Sequence, residues 1–433
     1  MTAQLRDRGL VRAVGLWGLT ASIVNIIVGA GIFAVPAALA ASVGPYAPLA
    51  FVACAAAIGA VAICFAEGGS RIPTSGGVYG CIEAAYGPLV GYIAGTLLWI
   101  SDAFACGGVA AALADLAVSL VAPQGRAPAH ALVIIGAIGG IAWVNIGGVA
   151  RGVRFVNVAT LLKLVPLAVF VIAGTTAIHS SNYLPTAAPT TAGLGRALIL
   201  AMFALTGMEA SLIASGEVAQ PARTIPRALA LAILIVTLLY VAIQAIAQGV
   251  LGASLAQSTV PLADAMAQIS PTLRALMLVG AGASMFGWLG SDLLGSPRML
   301  FAFARDGRLP RVLGRVDPRT HAPHVAILAY AILAITLALT GTFAELAVLA
   351  TLAVAVVYGA GCAAAWRLAR RDVALAGAPL NFRWLRAAML VGIGSMAVLI
   401  ALASREEIVG LAIAIAGSVL AFWLSKQRLP AQG

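Results

Sequence analysis

Four ionisable side chains, Asp102, Lys163, Glu209 and Asp292, lie inside long apolar stretches of the chain. Such residues bind protons, ions or charged ligands, because an unpaired charge at the centre of a bilayer costs at least about 2.5 kcal/mol on insertion scales. Two short segments add a second kind of chemistry. Ile27-Val28-Gly29-Ala30-Gly31-Ile32-Phe33, followed by Pro36, and Phe203-Ala204-Leu205-Thr206-Gly207 each place glycine or polar residues in the middle of an apolar run. Glycine weakens a helix interior by about 1 kcal/mol relative to alanine. Backbone groups freed at membrane depth persist only where they line a cavity or are buried in protein. Free N–H groups at a half-helix N-terminus suit a carboxylate, and free carbonyls suit an ammonium group.

The elements that must position these residues follow from composition. The chain has 433 residues, 62% hydrophobic and 9% charged, with a mean hydropathy of +1.03. Soluble domains carry about a quarter charged residues, so nucleic-acid modules, nucleotide-binding folds and disulfide scaffolds are excluded. At about 20 residues per span, apolar runs bounded by charge, Pro and Gly predict twelve transmembrane helices. These lie near residues 15–41, 46–68, 88–121, 131–149, 155–178, 194–216, 226–253, 274–303, 324–342, 345–369, 385–403 and 406–424. With the N-terminus cytoplasmic, 21 of the 26 Lys and Arg residues fall on the inner side and four on the outer, leaving Lys163 within a span. The positive-inside bias therefore places both termini in the cytoplasm of an inner-membrane, multi-pass protein. The net charge of +11 is topology, not a nucleic-acid surface.

Interrupted hydrophobic segments in corresponding places of two halves point to an inverted-repeat transporter site. Spans one and six correspond if each repeat has five spans: repeat one about 15–178, repeat two about 194–369, and two extra helices about 385–424, in a single domain over 1–433. On span three, Gly95, Trp99, Asp102 and Cys106 share one helical face. On span eight a small stripe of Ser284, Gly287, Ser291 and Gly295 permits close helix approach, with Asp292 alongside it. Glu67 and Glu83 flank Arg71 near span or loop ends, where solvated or paired roles suffice; Asp115 is nearer the outer end of its span. The five cysteines have no metal or redox spacing and read as small packing residues.

Several of these segments, in this order, resemble the amino acid/polyamine/organocation transporter superfamily. Gly29-Ala30-Gly31-Ile32-Phe33 resembles its Gly-Ser/Ala-Gly-Ile motif. Further matches are Ile72-Pro73-Thr74-Ser75-Gly76-Gly77-Val78-Tyr79, Gly207-Met208-Glu209, Gly216-Glu217 with Pro221, Arg223, Ile225, Pro226 and Arg227, and Ala304-Arg305-Asp306-Gly307-Arg308-Leu309-Pro310. The resemblance implies a LeuT-type 5+5 inverted repeat with broken helices one and six and alternating access. It implies substrate contacts at Ile27, Gly29, Ala30, Gly31, Ile32, Ala204, Thr206 and Gly207, and a gate at Phe203. Lys163, roughly 12 Å deep at 1.5 Å per residue, resembles the span-five lysine that replaces a sodium ion between spans one and eight in several branches. Glu209 matches the proton-sensing glutamate of the arginine/agmatine exchanger branch. At the places where that branch has an amide and a tryptophan around the substrate side chain, this chain has Asp102 and Asp292. The departure puts that branch's substrate in doubt, yet two acids there favour a cation.

The expected function is secondary transport of amino acids, cationic ones such as lysine, ornithine or arginine, by proton-coupled uptake or exchange. Polyamines, diamines and neutral amino acids are the alternative substrates. A membrane-embedded enzyme is the rival class, but His130, His179, His321 and His324 fall in loops or at span ends, with no HExxH or Asp-rich motif. No catalytic residue, metal site or cofactor is expected. The expected partners are the small-molecule substrate, protons and the lipid bilayer; small-residue stripes are too common in spans to define an oligomer.

Overall fold

The computed structural model describes residues 15–72, 77–119, 126–147, 163–184, 188–209, 218, 220–320, 322–375 and 379–428. All regular elements among them are helical. In chain order they are α1 (Leu16–Ile27), α2 (Gly31–Val43), α3 (Ala47–Arg71), α4 (Gly77–Tyr86), α5 (Pro88–Val118) and α6 (Arg126–Ile146). Then follow α7 (Lys163–Ala177), α8 (Thr191–Leu205), α9 (Pro221–Leu251), α10 (Pro261–Ala267), α11 (Pro271–Arg305), α12 (His324–Thr340), α13 (Phe343–Arg370), α14 (Leu385–Ala401) and α15 (Arg405–Arg428).

Among the described residues, seven helical segments are long and apolar enough to cross a bilayer, and five shorter apolar helices of 10–17 residues accompany them. The burial pattern suits that solvent. Trp143 and Ile172 are 76% and 73% exposed, whereas Gln244, Asn145, Gln248 and Lys163 are buried. Apolar side chains outside and polar ones inside are what a lipid surround selects, because hydrocarbon gives an outward amide nothing to bond. The chain is therefore a polytopic membrane protein.

Local sequence sets the element boundaries. Gly87 takes φ +90°, a left-handed conformation free of cost only for glycine, and Pro88 opens α5. Ser270 caps α11 by accepting from the Thr272 N–H, and Thr342 and Glu345 form a reciprocal capping box on α13. The expected first span is two helices, α1 and α2, with Val28, Gly29 and Ala30 between them. The part of span five before Lys163, the part of span six from 210 to 216, and Pro73-Thr74-Ser75-Gly76 and Gly216-Glu217 of the motifs lie outside the described residues.

Around these breaks, α1 packs on α9, and α2 on α8; α5 lies against α11, α12 and α13. All five cysteines are buried and free, in keeping with packing roles. The span-eight stripe is a correction. Ser284 packs towards the first break, but Ser291 is exposed and a Cβ on Gly295 would meet nothing within 4 Å. The face of α11 that meets its neighbours instead carries Met285, Leu289, Leu293 and Ser296, all buried.

At the end of α3, Arg71 and Glu67 are 1% and 0% exposed and form an ion pair at 2.8 Å. The guanidinium also donates to Asn381 Oδ1 at 2.6 Å and to the carbonyls of Val373 and Leu380, and Glu67 accepts from the Phe382 N–H. This network ties α3 to the segment joining α13 and α14, so Glu67 has the paired role and not the solvated one. Removing one partner strands a buried charge, which costs about 3–5 kcal/mol. Arg71→Ala is expected to lower unfolding stability in detergent by that amount, with Glu67→Leu/Arg71→Met recovering more than half. Indistinguishable melting of wild type and Arg71→Ala would contradict the assignment.

Candidate functional site

The first break begins where Val28 leaves helical geometry at φ −72°, ψ 75°. Its N–H still bonds the Val24 carbonyl at 2.8 Å, and Gly29 N–H closes a tight turn on the Ile27 carbonyl at 2.7 Å. The N–H groups of Ala30, Gly31 and Ile32 have no acceptor among the described residues. They form the start of α2, where helix geometry leaves donors unpaired and the dipole favours negative charge.

The freed carbonyls are treated differently. Asn25 O accepts from Lys163 Nζ at 2.5 Å, Ile27 O from Tyr240 Oη at 2.9 Å and Gly29 O from Ser284 Oγ at 3.1 Å. These three are committed to protein donors, which corrects the expectation that span one as a whole offers carbonyls to an ammonium group. The Ile26 and Val28 carbonyls have no donor among the described residues. Lys163 thus reaches the end of α1 from α7. On the same helix Pro166 sits against Gly280 of α11, so α7 touches both elements that the resemblance implied.

The second break follows α8. Thr206 turns to φ −74°, ψ 167° and Gly207 takes φ +114°. A Cβ on Gly207 would lie 3.1 Å from Ile26 Cγ2, and one on Gly31 would meet Ala204 and Phe203 at 3.6 Å. The two breaks therefore face one another at van der Waals range, bringing Ile27, Gly29, Ala30, Gly31, Ile32, Phe203, Ala204, Thr206 and Gly207 into one region. The Phe203 ring stands edge-on to Phe343, with centroids 5.8 Å apart. A cavity of about 240 Å³, lined by Phe33, Ala37, Asp115, Met285 and Phe343, opens beside the connections from α9 to α10 and from α12 to α13. Glu209 curls back on the break, accepting from the Gly207 N–H at 3.1 Å and from the Tyr358 hydroxyl.

The carboxylates of α5 and α11 meet. Ser296 Oγ lies 2.9 Å from Asp102 Oδ2 and 2.9 Å from Asp292 Oδ1, and Tyr330 Oη donates to Asp292 Oδ2 at 2.7 Å. Both acids are partly exposed. The shared face expected on α5 is realised: Trp99 stacks edge-on to Tyr330 at 6.0 Å, and its buried Nε1–H has no acceptor among the described residues. Asp115 pairs instead with His130 at 3.3 Å towards the far end of α5.

Sequence reasoning missed Ser296, Tyr330, Tyr358 and Tyr240. Ser296 had a signal, standing one turn after Asp292. Tyr240 had one too, because Tyr240, Gln244 and Gln248 form a polar row at i, i+4, i+8 in an otherwise apolar helix. Gln244 donates to the Pro36 carbonyl at 3.3 Å and Gln248 to Asn182 O at 3.1 Å. The two tyrosines on α12 and α13 had none. No cluster that could hold a metal occurs among the described residues.

The profile of a family described as amino acid permease matches residues 14–427. A Mycobacterium tuberculosis protein described as an uncharacterized transporter is 31% identical over 342 residues, covering 72% of this chain and 70% of its own length. The branched-chain amino acid permease BcaP of Bacillus subtilis is 28% identical, covering 74% and 73%. The serine/threonine exchanger SteT of the same organism is 28% identical, covering 74% and 75%. Such relatives are transporters and not enzymes. With its two facing helix breaks and a profile match over nearly its whole length, the chain belongs to the amino acid permease family.

Proposed function

We propose that the protein is a secondary active carrier of amino acids. It works by alternating access in the inner membrane, with twelve spans arranged as a LeuT-type 5+5 inverted repeat plus two helices and both termini cytoplasmic. The observation that carries this reading is the pairing of the breaks: Gly207 of the second against Ile26 of the first, with three open N–H groups beside them. An α-amino acid supplies the complementary groups. Its carboxylate takes the N–H groups of Ala30, Gly31 and Ile32, and its ammonium takes the carbonyls of Ile26, Val28, Thr206 or Gly207. Phe203, edge-on to the cavity-lining Phe343, closes over the occupant.

The side chain points towards Asp102 and Asp292, and we read the substrate as cationic: lysine, ornithine or arginine. Two acids in one pocket cannot both stay ionised in a low-dielectric site without a proton or a cation. A diamine would leave the span-one N–H groups without a carboxylate, so amino acids are preferred over polyamines. The second reading is a neutral amino acid. It is favoured by the mutual bonding of the two acids through Ser296 and by the relatives BcaP, a branched-chain amino acid permease, and SteT, a serine/threonine exchanger. Purified protein in liposomes distinguishes them. Labelled lysine or arginine is expected to accumulate and to exchange in counterflow; transport of leucine or alanine with lysine, arginine and putrescine ignored would overturn the cationic reading.

Lys163 and Glu209 are proposed to couple transport to protons. Lys163 holds the frayed end of α1 through Asn25, so a proton gained or lost at Nζ changes a contact on which the break depends. Lys163→Ala is expected to abolish uptake or to remove its pH dependence. Uptake equal to wild type at every pH would sink the coupling role.

A further inference from the structure

We infer that Asp102, Ser296 and Asp292 hold one proton in common, carried by Asp102, so that the pair presents a single negative charge through Asp292. The inference describes the charge state of the proposed side-chain pocket. It rests on the carrier reading only for its use in transport.

Ser296 Oγ stands at hydrogen-bond distance, 2.9 Å, from one oxygen of each acid. A hydroxyl has one hydrogen to donate. If both acids were ionised, one of the two contacts would set a lone pair against a lone pair beside two like charges. One carboxyl must therefore carry a proton and donate it to Ser296 Oγ.

The surroundings say which. Asp292 receives the Tyr330 phenol at 2.7 Å on its second oxygen, and a phenol is protonated at neutral pH. With Ser296 donating to its first oxygen, Asp292 has a donor on each oxygen, and charge-assisted bonds of this kind are about twice as strong as neutral ones. Asp102 has no donor other than Ser296 among the described residues. The arrangement is then Asp102 O–H to Ser296 Oγ, and Ser296 O–H to the Asp292 carboxylate.

Other titratable groups do not supply the missing hydrogen. The Cys106 thiol of α5 is hydrogen-bonded to Asp292 and not to Asp102, and Glu209 is engaged by the Tyr358 hydroxyl and the Gly207 N–H. Arg298 of α11 sits two residues after Ser296, about 200° round the helix. The remaining helices against α5 place their groups towards its ends: Tyr79 and Glu83 of α4 at Gly95 and Gly91, and His130 of α6 at Asp115. Glu407 of α15 is paired with Arg196.

The consequence is a match of valence. One shared proton leaves the pair at minus one, which balances one guanidinium or ammonium; two ionised acids would over-bind it, and two neutral acids would not attract it. Ser296 is a positioning residue in this scheme, acting on the substrate through the two acids.

The test is infrared difference spectroscopy of substrate-free protein in nanodiscs, reading the C=O stretch of protonated carboxyls from about pH 5 to about pH 9. A protonated band is expected at neutral pH that shifts when aspartate is carboxyl-13C-labelled in the wild type and is missing in Asp102→Asn. Ser296→Ala is expected to move the pH at which the band disappears by about one unit or more, the scale of one charge-assisted hydrogen bond, with Ser296→Thr restoring it. Absence of any 13C-shifted protonated band overturns the inference, with or without a folded Asp102→Asn. So does a Ser296→Ala titration identical to wild type. Liposome uptake of lysine against leucine is scored separately, so a neutral substrate would defeat the cationic reading while leaving the proton count to stand or fall on the spectrum.

Discussion

The backbone of a helix interrupted in hydrocarbon must find its hydrogen bonds elsewhere, and this constraint governs the centre of the molecule. Between Ile27 and Gly31 the helical ladder stops. An unsatisfied peptide group in an apolar medium costs several kcal/mol, so three neighbouring helices lend side chains: Tyr240 from α9, Ser284 from α11 and Lys163 from α7. Each satisfies one carbonyl, and together they fix which backbone groups remain open. What is left, opposite the second break, is the set of N–H groups at the start of α2 together with the Ile26 and Val28 carbonyls.

The same logic explains why the polar residues of this apolar chain gather inside. Tyr358 meets Glu209 beside the second break, and Tyr330 and Ser296 meet the two aspartates between α5, α11 and α12. Hydroxyl groups suit this task because they donate and accept without bringing charge of their own. Two clusters, one built on backbone and one on carboxylates, thus meet on α11, which gives Ser284 to the first and Ser296 and Asp292 to the second. A movement of α1 relative to α11 would alter the backbone cluster through Ser284, and one of α5 relative to α11 the carboxylate cluster through Ser296.

Much of this was legible from residue positions. Gly29, Gly31 and Gly207 pointed to the breaks because glycine weakens a helix interior and here stands in corresponding places of the two halves, and Asp102, Lys163, Glu209 and Asp292 announced the interior because charge has no other stable place there. The one-turn spacing of Trp99, Asp102 and Cys106 foretold their common face. The small stripe on α11 misled. Small residues permit close packing without requiring it, and Ser291 and Gly295 face outwards. Tyr330 and Tyr358 were illegible because a tyrosine in an apolar helix looks like core, and only the tertiary fold shows which acid its hydroxyl meets. The Arg71 network was hidden similarly: near a span end, arginine reads as a topology signal, and the carbonyls it satisfies lie some 300 residues away in sequence.

The central claim is that the open N–H groups of Ala30, Gly31 and Ile32 receive the carboxylate of an α-amino acid. Its most direct test is equilibrium binding of amino acids against the amines formed by removing that carboxylate, lysine against cadaverine and leucine against isoamylamine. Loss of a charge-assisted contact of about 1.5–3 kcal/mol predicts about 10- to 100-fold weaker binding of the amine in whichever pair binds. Equal affinity for an amino acid and its decarboxylated amine would contradict the account.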